Sequence, residues 1–350
     1  MTIQRGMASS VKIGFENSAY GTVSDVGFVL PFNTCEVVGQ RNRTTPATIR
    51  GRRDPAAPFS GNYDVNGPVV VPLDSTAFVY WLMCMFGAPT TTGGGPYVHE
   101  FKLGDTMPSF SLEKTFTDLA VDAYERQVGC KISTLGITVG GDGELLANMA
   151  VLGSFQSYET SPFDAAPITV PLSRVENFDA ALTEGGSTLS NATEFSINLD
   201  FGLDPNLFVI GGAGKRGGLP EGIVGVTGNL KTLFESRTLL DKAINDTETA
   251  LKLTVTAAAS SVVELEIQEL LYAVNGVPIP GPQGLIVSLD FAGYWANGAE
   301  SSAVVARVTN GVSSYSVSAS HSVSPSGSAS PSPSASPSPS ASESPSVSPS

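Results

Sequence analysis

The chain has 350 residues, 41% of them apolar, 37 glycines and a net charge of −14. That length buries a sizeable core and fits two domains of ordinary size. The acid excess excludes a protein that grips nucleic acid by neutralising phosphates, but not a surface that DNA passes without sticking. Abundant Gly, Val, Ile, Thr and Ser with few long periodic segments predict a mainly β fold with helix in the minority.

Cys35, Cys84 and Cys130 show no C-x-x-C spacing and are odd in number, which argues against a disulfide framework or a zinc site and for a reducing compartment. The N-terminus lacks the apolar stretch of a signal peptide. The longest apolar run, Ala77 to Phe86, is ten residues, half of a membrane span. A soluble protein made in the cytoplasm is expected.

Residues 1–24 read as an extended arm whose alternating Val11, Ile13 and Phe15 must dock on another element, ending at Tyr20-Gly21-Thr22. A first β domain is expected over 25–160, opening with strand-like Gly27 to Val38. Gln40 to Gly67 reads as a polar loop holding Arg41, Arg43, Arg50, Arg52 and Arg53, a local reversal of the chain's sign. It is either a solvated loop or a contact with an acidic surface, the nearest of which is another copy of the chain. A short strand, Gly67 to Pro72, precedes a helix that Asp74 or Ser75 caps and Gly87 ends. Ala77 to Phe86 is apolar on every side, so that helix must be covered on both sides. After a Gly-rich loop at 88–96 come the strands Tyr97 to Lys102 and Pro108 to Phe116, the latter with Phe110, Leu112, Lys114 and Phe116 on one face.

Glu125 to Phe155 reads as a β-hairpin, with Val128, Cys130, Ile132, Ile137 and Val139 in its first arm and a turn at Gly140 to Gly143. Its second arm recurs: Glu144 to Phe155 set against Gly284 to Trp295 pairs Leu145 with Leu285, Leu146 with Ile286, Met149 with Leu289, Gly153 with Gly293 and Phe155 with Trp295. A linker with three prolines (161–172) then separates a second β domain (173–310) that repeats the order of the first. That domain comprises the strand Glu194 to Phe201, a Gly-rich loop carrying Lys215 and Arg216, and a Thr227-Gly228-Asn229 echo of Ser60-Gly61-Asn62. An amphipathic helix follows at Glu235 to Asn245, then strands at Ala250 to Ala257, Val262 to Ala273 and Gly284 to Trp295. Residues 311–350, dominated by Ser, Ala and Pro, are predicted to be disordered.

No catalytic constellation emerges. Gly212-Ala-Gly214-Lys-Arg-Gly217 matches G-x-G-x-x-G, but Gly218, Pro220 and Gly222 follow where a phosphate-binding helix would have to start. The two histidines are His99 and His321, and no nucleophile elbow is present. Asp118, Asp122 and Glu125 read as a solvated acidic face. No enzyme activity, metal or cofactor is expected.

Ala19-Tyr20-Gly21-Thr22, the strand beginning Pro108-Ser-Phe-Ser-Leu-Glu-Lys114, and Val128-Gly-Cys-Lys-Ile-Ser-Thr-Leu135 resemble phage tail tube proteins of the long, non-contractile type. The resemblance covers about residues 10–160 directly and the rest through the repeat. It implies two tandem β-sandwich or barrel domains, each flanked by a short helix, whose sheets join side by side into rings around a DNA conduit. Rings would stack within the virion tail after assembly in the host cytoplasm, with tape measure, terminator and baseplate proteins as further partners. Two domains per chain imply homotrimeric, pseudo-hexameric rings; the alternative is a homohexamer with the second half as decoration. Inter-ring contact is assigned to Arg41, Arg43, Arg50, Arg52, Arg53, Lys215 and Arg216. Intersubunit sheet pairing is assigned to Val128, Cys130, Ile132, Ile137, Val139, Leu145, Leu146, Leu285 and Ile286. The rival reading is a cell-surface adhesin or carbohydrate-binding β-protein on a Ser/Pro stalk.

Overall fold

The computed structural model describes residues 3–16 and 18–316; the tail from 317 onward, with His321, lies outside the described residues. The chain runs through β1 (Ser9–Phe15), β2 (Phe28–Leu30), β3 (Thr34–Cys35), β4 (Val38–Thr44) and β5 (Phe59–Pro72) to the helix α1 (Phe78–Phe86). Then come β6 (Thr90–Thr92), β7 (Tyr97–Lys102), β8 (Phe110–Phe116), β9 (Ala123–Val139), β10 (Leu146–Gly153) and β11 (Phe155–Glu159). The later half holds β12 (Ile168–Thr169), β13 (Ala180–Glu184), β14 (Ser187–Thr188), β15 (Ala192–Asp200) and β16 (Gly225–Leu233). It closes with α2 (Thr238–Ile244), β17 (Thr249–Ala258), β18 (Ser261–Tyr272), β19 (Ile286–Tyr294) and β20 (Val305–Asn310). The fold is mainly β, as the composition predicts, and the sheets do not close into a barrel within the chain.

Two long strands organise the sheets. The first part of β9 pairs with β8 and β11, in a sheet ordered β2-β1-β8-β9-β11. Its second part pairs with β10 on one side and β15 on the other, in a sheet ordered β4-β5-β10-β9-β15-β16-β19-β18. β18 divides in the same manner. Along one side it meets β17; along the other it meets β20 at Val262–Glu266 and β19 at Glu269–Tyr272.

The matching extends to the register. Phe110 faces Cys130 and then, after an irregularity, Leu112 faces Gln127; Thr249 faces Leu270 and then Leu251 faces Ile267. Gly153 faces Val65, and Gly293 faces Val226. A Cβ on either glycine would sit 2.8 or 2.9 Å from the opposing valine side chain, so both valines pack into the space a side chain would fill. This register pairs Gly228 with Gly67, not with Gly61 as the Thr-Gly-Asn echo had it: Gly67 faces Val151 and Gly228 faces Phe291. The 88–107 stretch has no counterpart in the later half, and it is not merely a loop. It forms the β6–β7 hairpin, which pairs with β20.

The core lies between the sheets and around α1. Asp74 accepts N–H bonds from Phe78 (2.6 Å) and Thr76 (3.1 Å), capping the helix as its sequence predicts. Gly87 ends it at φ +84°. Trp81 packs edge-on against Phe110, Phe86 against Phe201, and Tyr80 against Phe28 and Tyr315, so both sides of the apolar helix are covered from within the chain. Tyr315 shows that ordered packing continues past residue 311.

The N-terminal arm docks as β1 between β2 and β8, burying Val11, Ile13 and Phe15. Its other face is buried over charge. Glu113, fully buried, accepts from Lys12 (2.8 Å), Arg126 (2.8 Å) and the Phe163 N–H (3.1 Å). Residues 161–172 are therefore held in place: Ile168–Thr169 pairs with Phe28–Val29, and the Asp164 carboxylate accepts from Gly27.

At Gly129, where β9 passes from one sheet to the other, φ is +63° and a Cβ would lie 2.7 Å from the Tyr20 ring. Glu16 accepts from the N–H groups of Gly129 (2.8 Å) and Gly21 (2.7 Å) and from the Ser111 hydroxyl (2.9 Å), tying the Tyr20-Gly21 turn to the bend. Gly129→Ala meets both the backbone and the contact penalty. Chemical denaturation should show a loss of about 1–3 kcal/mol, and an unchanged midpoint would contradict this account of the bend.

Candidate functional site

The eight-stranded sheet has one face on the core. On the other, strand alternation lines up small polar and acidic side chains: Asn148, Thr138, Asn198, Asp200, Thr227 and Asp290 are all exposed. Lys231 on this face is ion-paired with Glu194 at 2.8 Å, and Asn229 bonds Ser288 (2.9 Å) and Asp290 (2.7 Å). The sequence reading missed this surface. Its signal was present as the every-second-residue Ser, Thr, Asn and Asp of β15, β16 and β19.

The arginine-rich stretch is not a loop alone. β4 and the start of β5 pair out to Thr44 and Phe59, projecting a hairpin whose tip carries Arg50, Arg52 and Arg53. Its strands lack apolar alternation because neither face of the projecting part covers core. All five arginines are exposed; Arg41 stacks over Tyr63, and Arg52 pairs with Asp54 at 2.8 Å.

Lys215 and Arg216 stand apart from them. Lys215 lies 3.8 Å from the Phe155 ring centroid. Arg216 is buried, paired with Asp64 and donating to the carbonyls of Gly153 (2.7 Å), Pro205 (2.7 Å) and Val65 (3.1 Å). These two residues clamp the 202–224 loop onto the first half of the chain. Gly212 to Gly217 belongs to this clamp and opens no helix, so the G-x-G-x-x-G match has no phosphate site behind it.

The hairpin expected to carry intersubunit pairing is internal. Both sides of β9 are filled by strands of the same chain, and Cys130, Ile132, Ile137 and Leu145 are buried. Val128 sits opposite Phe155, Val139 opposite Phe195, Leu146 opposite Pro72 and Ile286 opposite Leu233, while the Leu285 carbonyl accepts from Phe234. The correction is physical: alternation identifies a well-paired strand but not which chain supplies the partner. On the described residues, the ends of the eight-stranded sheet are β4 and the segment after β18.

Burial pushes the Cys84 and Cys130 thiols well above their ordinary range. Among the described residues there is no metal-binding cluster, and no helix is long and apolar enough to cross a membrane. His99 is buried in β7, where Nε2–H donates to Asn310 Oδ1 (3.1 Å) and Nδ1 accepts from the Thr91 hydroxyl (2.9 Å). Burial lowers its pKa below the usual value of about 6.5. The unfolded chain therefore binds the proton more readily, and stability present above about pH 6.5 is lost as pH falls towards the depressed folded value. His99→Gln should flatten that acid-side decline in thermal melts, whereas an equally steep decline in the variant would contradict it.

A family model described as phage tail tube protein matches residues 6–293. No curated protein matches the chain.

Proposed function

Since the chain belongs to the phage tail tube family, a structural family of the virion tail that assembles into a tube, we propose that it forms stacked rings whose lumen conducts DNA. The observation that carries this is the eight-stranded sheet with an uncharged-to-acidic outer face. Turned inward, that face offers passing phosphates few cations, and so few counterion-releasing contacts to hold the genome.

Each chain supplies two tube units, a tandem duplication supported by the matched registers of β9 and β18 and by the paired glycines Gly153 and Gly293. Three chains then make a pseudo-sixfold ring. Strands about 4.8 Å apart and tilted about 40° put a ~24-stranded barrel at about 48 Å across the backbone, or about 38 Å inside a side-chain layer of about 5 Å per wall. That clears a DNA duplex with its hydration. The ~16 strands of two chains would leave only about 22 Å by the same estimate. A homohexamer with the second half outside is disfavoured, because β15, β16 and β19 share the sheet with β9 and β10.

The projecting hairpin carries the ring-to-ring contact, with Arg41, Arg43, Arg50, Arg52 and Arg53 facing the acidic surface of the next ring. Lys215 and Arg216 support it indirectly by bracing β5 and β11. Assembly in the host cytoplasm, around a tape measure protein and between terminator and baseplate proteins, follows from the same reading.

Purified protein, concentrated or seeded, should form uniform tubes in negative stain; a chain that stays monomeric under every such condition contradicts the proposal. Arg50→Glu with Arg52→Glu and Arg53→Glu should keep the fold but abolish long tubes, and tubes of normal length would rule out the stacking role. Thr138→Lys with Asn198→Lys should make tubes retain short duplex DNA with steep salt dependence. Equal, salt-insensitive retention by both proteins would contradict the assignment of this face to the lumen.

A further inference from the structure

Within one chain the two units are already joined by a seam: β15 pairs antiparallel with β9, from Phe195 opposite Val139 to Asp200 opposite Thr134. Each side of that seam has a counterpart at an end of the eight-stranded sheet. On one side, Leu199 faces Val226 as Gly39 faces Val65, so β4 with its lead-in Val37 stands in the first unit where β15 stands in the second. On the other, Tyr272 faces Phe291 as Ile132 faces Val151, so β18 stands where β9 stands.

Beyond Tyr272 the chain runs on as Ala273-Val-Asn-Gly-Val-Pro-Ile279, matching the run of β9 through Leu135-Gly-Ile-Thr-Val139. Ala273 donates its N–H to Asp290 (2.7 Å), which keeps the segment beside β19 and turns the N–H of Val274 and Gly276 to the open side. Val274 is 64% and Ile279 78% exposed, and Val38 on the opposite edge is 40% exposed.

We infer that the seam between neighbouring chains copies the seam inside one chain, with the outer edge of one chain's β4 pairing antiparallel with Ala273 to Ile279 of the next. This rests on the ring reading above and names the surfaces that close it. No strand covers the outer edge of β4 in the free chain; side chains blunt it instead, Lys114 donating to the Val37 carbonyl (2.8 Å) and Gln156 accepting from the Gly39 N–H, and in the ring the backbone of a second copy takes their place. The chain's own Ser/Pro tail is a poor occupant, since its seven prolines between 325 and 349 offer no N–H to a ladder. Pro278 limits the ladder on its own side too, so the seam is short and relies on the register set by Val274 and Gly276. The same shortness keeps the free chain soluble until rings form.

The test uses tubes of the full chain with Val38→Cys and Asn275→Cys in a Cys35→Ser background, Cys84 and Cys130 being fully buried. Facing positions in an antiparallel ladder are close enough for a disulfide. Oxidation should give covalent dimers and trimers and nothing larger, with Gly136→Cys and Asn198→Cys as the intrachain control. In unmodified tubes, hydrogen exchange at Arg41, Val274 and Gly276 should slow by at least about tenfold relative to monomer. Tubes that form without slowed exchange at these amides overturn the seam while leaving the tube reading intact. Crosslinks running past trimer overturn the three-chain closure. If unmodified protein makes no tube, the ring reading and the seam fall together.

Discussion

The edge of a β-sheet carries a row of N–H and C=O groups that must find partners. This chain answers that requirement by making each long strand serve two sheets. β9 gives its first part to one sheet and its second part to the other, and β18 does the same in the later half. The bend this demands in β9 falls at Gly129, and the half-buried Glu16 and Tyr20 and the buried Ser111 around it explain why the N-terminal arm belongs to the fold. Because the second part of β9 faces β15, the two halves share one continuous sheet.

That continuity determines what the surface can do. A face built from alternate residues of eight strands is smooth, and its composition is set strand by strand: Thr138, Asn198 and Thr227 are neutral, Asp200 and Asp290 acidic, and Lys231 neutralised by Glu194. For a polyanion moving past it, the relevant quantity is the number of uncompensated cations, because each phosphate neutralised steepens the salt dependence of binding. Five exposed arginines, Arg41, Arg43, Arg50, Arg52 and Arg53, cluster instead on the β4–β5 hairpin. Basic and neutral-to-acidic surface are thus separated within one sheet.

Much of the fold was legible in the sequence. The Asp74 and Gly87 signals around an all-apolar decamer located α1, and alternation located β8, β9, β10, β17, β18 and β19 within a few residues. The likeness of Glu144–Phe155 to Gly284–Trp295 pointed to the matched pair β10 and β19. What was missed has common causes. β4 and the outer part of β5 cover no core, so they show no alternation; β20 is short; and the 161–172 segment looks like a linker because its docking is by backbone pairing and by the Asp164 and Lys12 contacts, which leave no periodic trace. Arg216 looked like a free surface charge because its partners, Asp64 and three carbonyls, are distant in sequence or carry no sequence signal.

The count of units per chain is the point on which the rest turns, and cryo-electron microscopy of assembled tubes reads it directly. The account predicts rings with threefold symmetry, an inner wall of ~24 strands to which both β10 and β19 contribute, and β4 against the segment after β18 at every chain boundary. Rings of six chains, with β15, β16 and β19 outside the inner wall, would contradict it.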